Sequence, residues 1–324
     1  MSELLLKTKN INVKSVLKDF GVLLGLIVMM SVFSILSEHF LTVDNLLTIA
    51  LQTSVIGILA IAETYVIITS GIDLSVGSIL AVAGVVTGKL MISGVSITLS
   101  IVAGIGVGAL CGLINGLVVS KLKIASFIAT LGMMSIARGA AYVITGAMPV
   151  SGLPEKFFFI GGGTIGKIPV PVLEMFAFAI VFGFILKKTR FGRYVYCLGS
   201  NEEAAVLSGI NVKNTKVWVY VISGSLAAFA GVMMASRLVS AQSTAGTGYE
   251  LDAIAAAIIG GTSPAGGSGK VRETIIGAFI IGTLRNGLNI MNVNAFWQQI
   301  AIGVVIIFAV YADTIRRKKD VGKI

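Results

Sequence analysis

The chain of 324 residues is 56% hydrophobic and only 12% charged, with a mean hydropathy of +0.95. That balance excludes a water-soluble globular domain and identifies an integral membrane protein. The formal charge of +10 is met by membrane topology and contact with anionic lipid, so no nucleic-acid partner is invoked.

Crossing about 30 Å of hydrocarbon takes roughly 20 apolar residues in a helix. Apolar runs near 20–36, 46–68, 79–92, 95–119, 124–147, 169–186, 217–236, 251–262, 271–291 and 296–312 predict an all-α, polytopic fold of about ten transmembrane helices. The third and eighth runs are short or re-entrant; if neither crosses, the count falls to eight. The first run follows basic residues as a signal peptide would, but Ser34-Ile35-Leu36-Ser37-Glu38-His39 offers no A-x-A cleavage site, so it is read as a mature span. Polar stretches are too short for a soluble domain, and residues 1–324 are expected to form a single transmembrane domain.

Lys and Arg accumulate in cytoplasmic loops. With the N-terminus inside, 19 of the 25 basic residues fall in inner segments: the N-terminal segment, Lys121 and Lys123, the 187–216 loop, Lys270 and Arg272, and the residues after 315. Both termini are therefore expected in the cytoplasm.

Along the chain, Glu63, Arg138 and Arg285 are ionisable groups inside predicted spans, and such groups are costly enough to be functional hypotheses. Glu63 has no charged sequence neighbour, so an ion pair with another span and the lining of a polar path both stand. Residues 68–78, Ile-Thr-Ser-Gly-Ile-Asp-Leu-Ser-Val-Gly-Ser, put irregular polar backbone between two apolar runs, which is tolerated only inside protein or beside water. Asp73 or Ser75 either caps the next helix or contacts a substrate. Gly104, Gly108, Gly112 and Gly116 make a small-residue stripe, repeated by Ser223, Ala227, Gly231 and Ala235, for close packing within one subunit or between two. Cys111 and Cys197 are read as small buried residues with no disulfide.

The 187–216 stretch is the long polar interruption on the basic side. It carries a short amphipathic helix with Glu203-Ala204-Ala205-Val206-Leu207-Ser208-Gly209 between basic ends. Residues 240–269 are a second interruption, with Gln242, Thr244, Tyr249, Glu250 and Asp252 before the short eighth run; the set suits a neutral polyhydroxylated solute and equally a turn-rich loop. Asn286 lies in an Asn-Gly-Leu echo of Asn115, and Ile68–Asp73 is faintly echoed at Ile259–Ser263, which leaves a pseudo-repeat open. Gly269-Lys270 is not a P-loop, because position 264 is Pro and position 271 is Val. The chain is therefore not expected to hydrolyse ATP. It has no H-E-x-x-H, C-x-x-C or G-x-S-x-G, and its one histidine, His39, and two scattered cysteines build no metal site. A membrane enzyme is thus disfavoured, while a secondary transporter would need coupling-ion residues at the midplane.

Taken in order, TSGIDLSVGS (69–78), FIATL (127–131), TRFGRY (189–194), NEEAAVLSGINV (201–212) and SAQSTAGTGYELDAIAAAIIGGTSPAGGSGK (240–270) resemble the permease subunits of ABC sugar importers of the ribose type, over nearly the whole chain from about residue 40. The resemblance implies a bacterial plasma (inner) membrane location and a homodimer with a second permease copy. It also implies a cytoplasmic ATPase subunit or tandem ATPase that holds the ATP-Mg, with no cofactor on this chain, and an external sugar-binding protein. The sugar it implies is D-ribose, with another pentose, a hexose or a furanose-like signalling sugar as alternatives. Asn201, Glu202, Glu203, Ala204, Ala205 and Gly209 fall on the superfamily's E-A-A-x3-G coupling segment, which docks in the ATPase. The I-x-L-P ending of that pattern is absent, the chain reading Val219-Tyr220-Val221-Ile222. Candidates for the sugar's path are Glu63, Asp73, Ser75, Gln242, Thr244, Tyr249, Glu250, Asp252 and Asn286.

Overall fold

The structure is a computed structural model that describes residues 13–321. Expectations resting on Lys7, Lys9 and Lys323, and on the placement of both termini, lie outside the described residues. In chain order the helices are α1 (Val13–Leu36), α2 (Val43–Ile68), α3 (Val76–Ile92), α4 (Ile97–Ser120) and α5 (Ser126–Thr145). A 3-10 turn (Glu155–Phe157), α6 (Phe158–Gly162) and a hairpin of β1 (Thr164–Ile165) with β2 (Ile168–Pro169) follow. Then come α7 (Val170–Lys188), α8 (Arg190–Ser200), α9 (Glu202–Leu207), α10 (Val212–Leu238), α11 (Tyr249–Ile259), α12 (Val271–Ile290) and α13 (Ala295–Val321).

Side-chain oxygens start several of these helices by taking a free N–H of the first turn. Thr42 does so for α2, Ser96 for α4, Thr189 for α8, Asn201 for α9 and Asn211 for α10. Helices α2, α4, α5, α7 and α10 are long and apolar enough to cross a membrane. Each predicted apolar run has a helix; the short eighth run is borne out by α11, while the start of α3, helix α8 and a small hairpin differ. Helix α3 begins at Val76, earlier than the apolar run, and its 17 residues reach about 25 Å at ~1.5 Å per residue. Helix α11 has only 11 residues, about 16 Å, or roughly half the ~30 Å hydrocarbon thickness. Helix α8 occupies what reads in the sequence as loop, and a small hairpin departs from an all-helical fold.

The core is built around α10, which packs along α4, α3 and α2. Both small-residue stripes are spent inside this one chain. A β-carbon at Gly108 would collide with Ala228 and the Gly224 carbonyl, one at Gly112 with the Tyr220 carbonyl, and one at Gly231 with the Leu80 carbonyl. Backbones therefore meet at α4–α10 and α3–α10 with no room for larger residues. Helix α7 seats Met175 against Gly57 of α2, and Tyr65 donates to the Phe182 carbonyl at 2.5 Å. Cys111 is partly buried, whereas Cys197 is exposed; both are free thiols, so the reading of two buried cysteines holds for neither in full.

The connections alternate between the two ends of this bundle. The 69–75 segment bonds to Ser126 and Thr130 at the start of α5, and the 263–269 segment bonds to Ile68 and to Tyr196. The segments around Lys121 and Lys123, the 187–216 loop and Lys270 thus gather at one end, as charge counting requires. At the opposite end Val150 pairs with Ala241, and Ser236 binds Phe157 and Gly161.

Candidate functional site

The 187–216 segment folds as two short helices with different tasks. Helix α9 stands out from the bundle: Glu203, Val206 and Leu207 are exposed, Leu207 by 89%, and only Ala205 is buried, against Leu198 and Val212. Asn201 caps it by accepting from Ala204 N–H at 2.9 Å, and Glu202 is held by Lys216 at 2.8 Å. Gly209 ends it with φ of +77°, and Ile210 N–H returns to the Ala205 carbonyl. This is a left-handed helix stop that glycine adopts without strain. The six coupling candidates are therefore brought together as one capped, outward-facing helical turn.

Helix α8 ties that turn to the bundle. Its buried residues, Gly192, Val195, Leu198 and Gly199, recur at helical spacing. Gly199 lies on the carbonyl of Ile68, the last residue of α2, with no space for a side chain. The same carbonyl accepts from Gly267 N–H at 2.9 Å, and Ser70 Oγ donates to the Ala265 carbonyl at 3.1 Å. Tyr196 donates to the Gly269 carbonyl at 2.7 Å. Burial, with the negative charge of Glu273 adding to it, pushes the Tyr196 phenol above its ordinary value, so it stays a donor. Three loops, 69–75, 199–200 and 263–269, thus share one junction. Of the two faintly similar segments, Ile68–Asp73 meets residues 265–267, which follow Ile259–Ser263 in the chain. Sequence reading missed Tyr196 and Gly199; the spacing of Phe191, Val195 and Leu198 is the signal that would have found α8.

The nine path candidates separate into three places. Asp73 and Ser75 are fully buried where α2, α3, α4 and α10 meet. Asp73 accepts from Ser75 N–H and Oγ on one oxygen and from Ser223 Oγ at 2.8 Å on the other, and Asn115 donates to Ser75 Oγ at 2.9 Å. Asp73 thus closes a turn onto Ser75, while Ser75 occupies the N-cap position of α3 without a side-chain cap bond. Asn115 and Ser223 complete this knot and were not singled out as site residues from the sequence. Glu63 is also fully buried, and neither of its oxygens has a hydrogen-bond or ion partner among the described residues, so of its two readings the ion pair is not formed.

Glu250 stands at the start of α11, where its carboxylate approaches Gly77 and accepts from Gly248 N–H at 3.2 Å. Arg138 crosses from α5 to the Ser243 and Ala245 carbonyls at 2.6 and 2.7 Å, pinning the chain that leads into α11. Gln242 is half-buried and Thr244 exposed on that lead-in. The third group lies further toward the opposite end. Asp252, 2% exposed, holds Arg285 at 2.6 Å, and Asn286 exchanges two amide bonds with Asn45 at 2.9 and 3.0 Å. Tyr249 borders a cavity there. The asparagines of the two Asn-Gly-Leu echoes therefore serve different ends of the bundle.

The sequence model described as branched-chain amino acid transport system / permease component matches residues 45–310. The chain is 44% identical over 314 residues to the ribose import permease protein of Bacillus subtilis (strain 168), covering 96% of this chain and 97% of that one. It is 46% identical over 295 residues to the ribose import permease protein of Escherichia coli (strain K12), covering 90% and 92%. The D-allose transport system permease protein of Escherichia coli (strain K12) is 42% identical over 301 residues, covering 92% of each. No solved structure matches.

Proposed function

Because the chain belongs to the family of ABC-type permease components matched over residues 45–310, we propose that this multi-pass membrane protein is the translocating subunit of an ATP-driven sugar importer, and that its sugar is D-ribose. The observation that carries the substrate is the 44–46% identity to ribose import permeases over nine-tenths or more of the chain, against 42% for the D-allose permease. Although the matched family is described by branched-chain amino acids, these near-full-length relatives all carry the names of sugar permeases.

In this reading a partner ATPase binds ATP-Mg and grips α9, and an external binding protein delivers the sugar to a pair of permease copies. Nucleotide-driven movement of α9 reaches the bundle through α8, because Gly199 and Tyr196 rest directly on the ends of α2 and of the α11–α12 loop. Packed helices rock about those contacts to open the path to either side, with Glu63 and the Glu250 end of α11 near its middle. Specificity resides largely in the binding protein, so the permease needs only weak contacts with several hydroxyls; strong ones would stall release.

The test is reconstitution in proteoliposomes with the ATPase and binding protein, measuring uptake of labelled ribose, allose and arabinose. ATP-dependent ribose accumulation that exceeds the others supports the reading. Purified chain that moves sugar against a gradient with no ATPase would overturn it.

A further inference from the structure

Away from α9, toward the other end of the bundle, the structure holds a cavity of 280 Å³, just below the ~300–1,000 Å³ that pockets for drug-sized ligands span. Five helices supply its polar wall: Gln52 from α2, Arg237 from the last turn of α10, Tyr249 from the first turn of α11, Arg285 and Asn289 from α12, and Gln298 from α13. Aliphatic side chains of α2 and α10 complete it.

Resting on the reading that the chain passes a monosaccharide, we infer that this cavity is where the sugar first enters the permease from the external side. The chemistry matches a small neutral polyol. Gln52 and Asn289 each offer amide donors and acceptors, Arg237 offers a fork of donors, and the Tyr249 ring gives a flat apolar face for sugar C–H groups. Arg237 has no ion pair among the described residues, whereas Arg285 is already balanced by Asp252 at 2.6 Å. One uncompensated guanidinium suits hydroxyls better than a multiply charged phosphate. The Arg285 Nε is buried without a partner among the described residues, so a donor beside the cavity is unused. Gln298 is committed to the Asn289 side chain at 2.7 Å and the Val293 carbonyl at 2.9 Å, and so positions Asn289 rather than contacting sugar first.

The cavity is also wired to the motor side. Tyr249 opens α11, and the other end of that half-length helix leads into the 263–269 segment, which rests on Ile68 and Tyr196. A shift of α8 therefore acts on the cavity through one rigid rod about three turns long.

The experiment uses the complete transporter in proteoliposomes with saturating, ribose-loaded binding protein. Asn289→Ala, Arg237→Ala and Gln52→Ala each lower ribose uptake at least tenfold, while binding-protein-stimulated ATP hydrolysis stays within twofold of wild type. The wild type also moves ribose faster than a deoxyribose presented at saturation, and Asn289→Ala or Arg237→Ala erases that preference, which a merely structural defect would not do. Unchanged uptake and preference in all three variants overturn the site. Loss of stimulated hydrolysis together with uptake also overturns it, because the surface would then be a docking face for the binding protein. If wild type moves none of ribose, allose or arabinose, the proposed function fails instead, and the two failures are told apart. Gln52→Ala, the mildest change, keeps the test decisive if the arginine variant does not fold.

Discussion

Gly199 of α8 and Ile68 at the end of α2 are in backbone contact, with the glycine lying on the carbonyl oxygen and no room for a β-carbon. This contact fixes how α8, and with it the proposed coupling helix α9, meets the bundle. Gly199→Ala must push α8 outward or break the Gly267–Ile68 bond, and overpacking of this kind costs ~1–3 kcal/mol or more. The expected result is an inserted permease that still co-purifies with its ATPase, because α9 is unaltered, but whose ribose uptake falls at least tenfold. Uptake close to wild type would show that α8 does not transmit the motion.

Helix α9 offers a sharper separation between docking and transmission. Glu203 and Leu207 are exposed, and Glu203 makes no ion pair among the described residues. Glu203→Lys and Leu207→Asp are therefore expected to leave thermal stability within about 0.5 kcal/mol of wild type, as surface changes usually do. Both reduce ATPase co-purification and uncouple hydrolysis from uptake. Gly209→Pro also loses coupling, for a different reason: proline fixes φ near −65° where this stop needs +77°. Normal coupled uptake in all three variants would defeat the docking role.

The spans were legible because apolar periodicity and length are local properties of the sequence. The parity of the loops was legible because Lys and Arg mark one end. What stayed hidden needed contacts between distant segments. Nothing near Asp73 announces that Ser223, 150 residues on, will supply its donor, and nothing near Glu63 announces that no partner among the described residues will arrive. Asn286 looks like a path residue by its polarity, yet Asn45, 241 positions away, satisfies it. Helix α8 was obscured by its polar composition and two glycines, which lower intrinsic helix propensity, although its buried face is regular. Arg237, Asn289 and Gln298 carry no motif and converge only through the packing of α10, α12 and α13.

The α4 stripe permits a test within one helix. Gly108 faces α10, where a β-carbon would meet Ala228 and the Gly224 carbonyl, whereas Gly106, two residues earlier, has nothing within 4 Å. Gly108→Val is expected to separate α4 from α10 and cost more than ~2 kcal/mol, seen as loss of folded protein in fluorescence-detected chromatography. Gly106→Val should change stability by less than about 0.5 kcal/mol. Equal behaviour of the two would contradict the packing of α4 on α10.

Ser223 and Ser225 make a second matched pair, this time on α10. The Ser223 hydroxyl reaches across to the fully buried Asp73 carboxylate at 2.8 Å, whereas Ser225 bonds back to the Val221 carbonyl of its own helix. Ser223→Ala leaves one Asp73 oxygen without its donor inside the bundle, at a cost of ~1–3 kcal/mol for a buried unsatisfied group. Ser225→Ala removes only a bond within one helix, which is near neutral. Thermal unfolding in detergent should therefore show a clearly lower Tm for Ser223→Ala and little change for Ser225→Ala. Because Asp73 closes the turn between α2 and α3, and that turn bonds to the junction under α8, Ser223→Ala should also lower ribose uptake while ATPase co-purification is retained. An unchanged Tm in Ser223→Ala would mean that the Asp73 carboxylate does not depend on α10, and that the knot does not hold α3 against it.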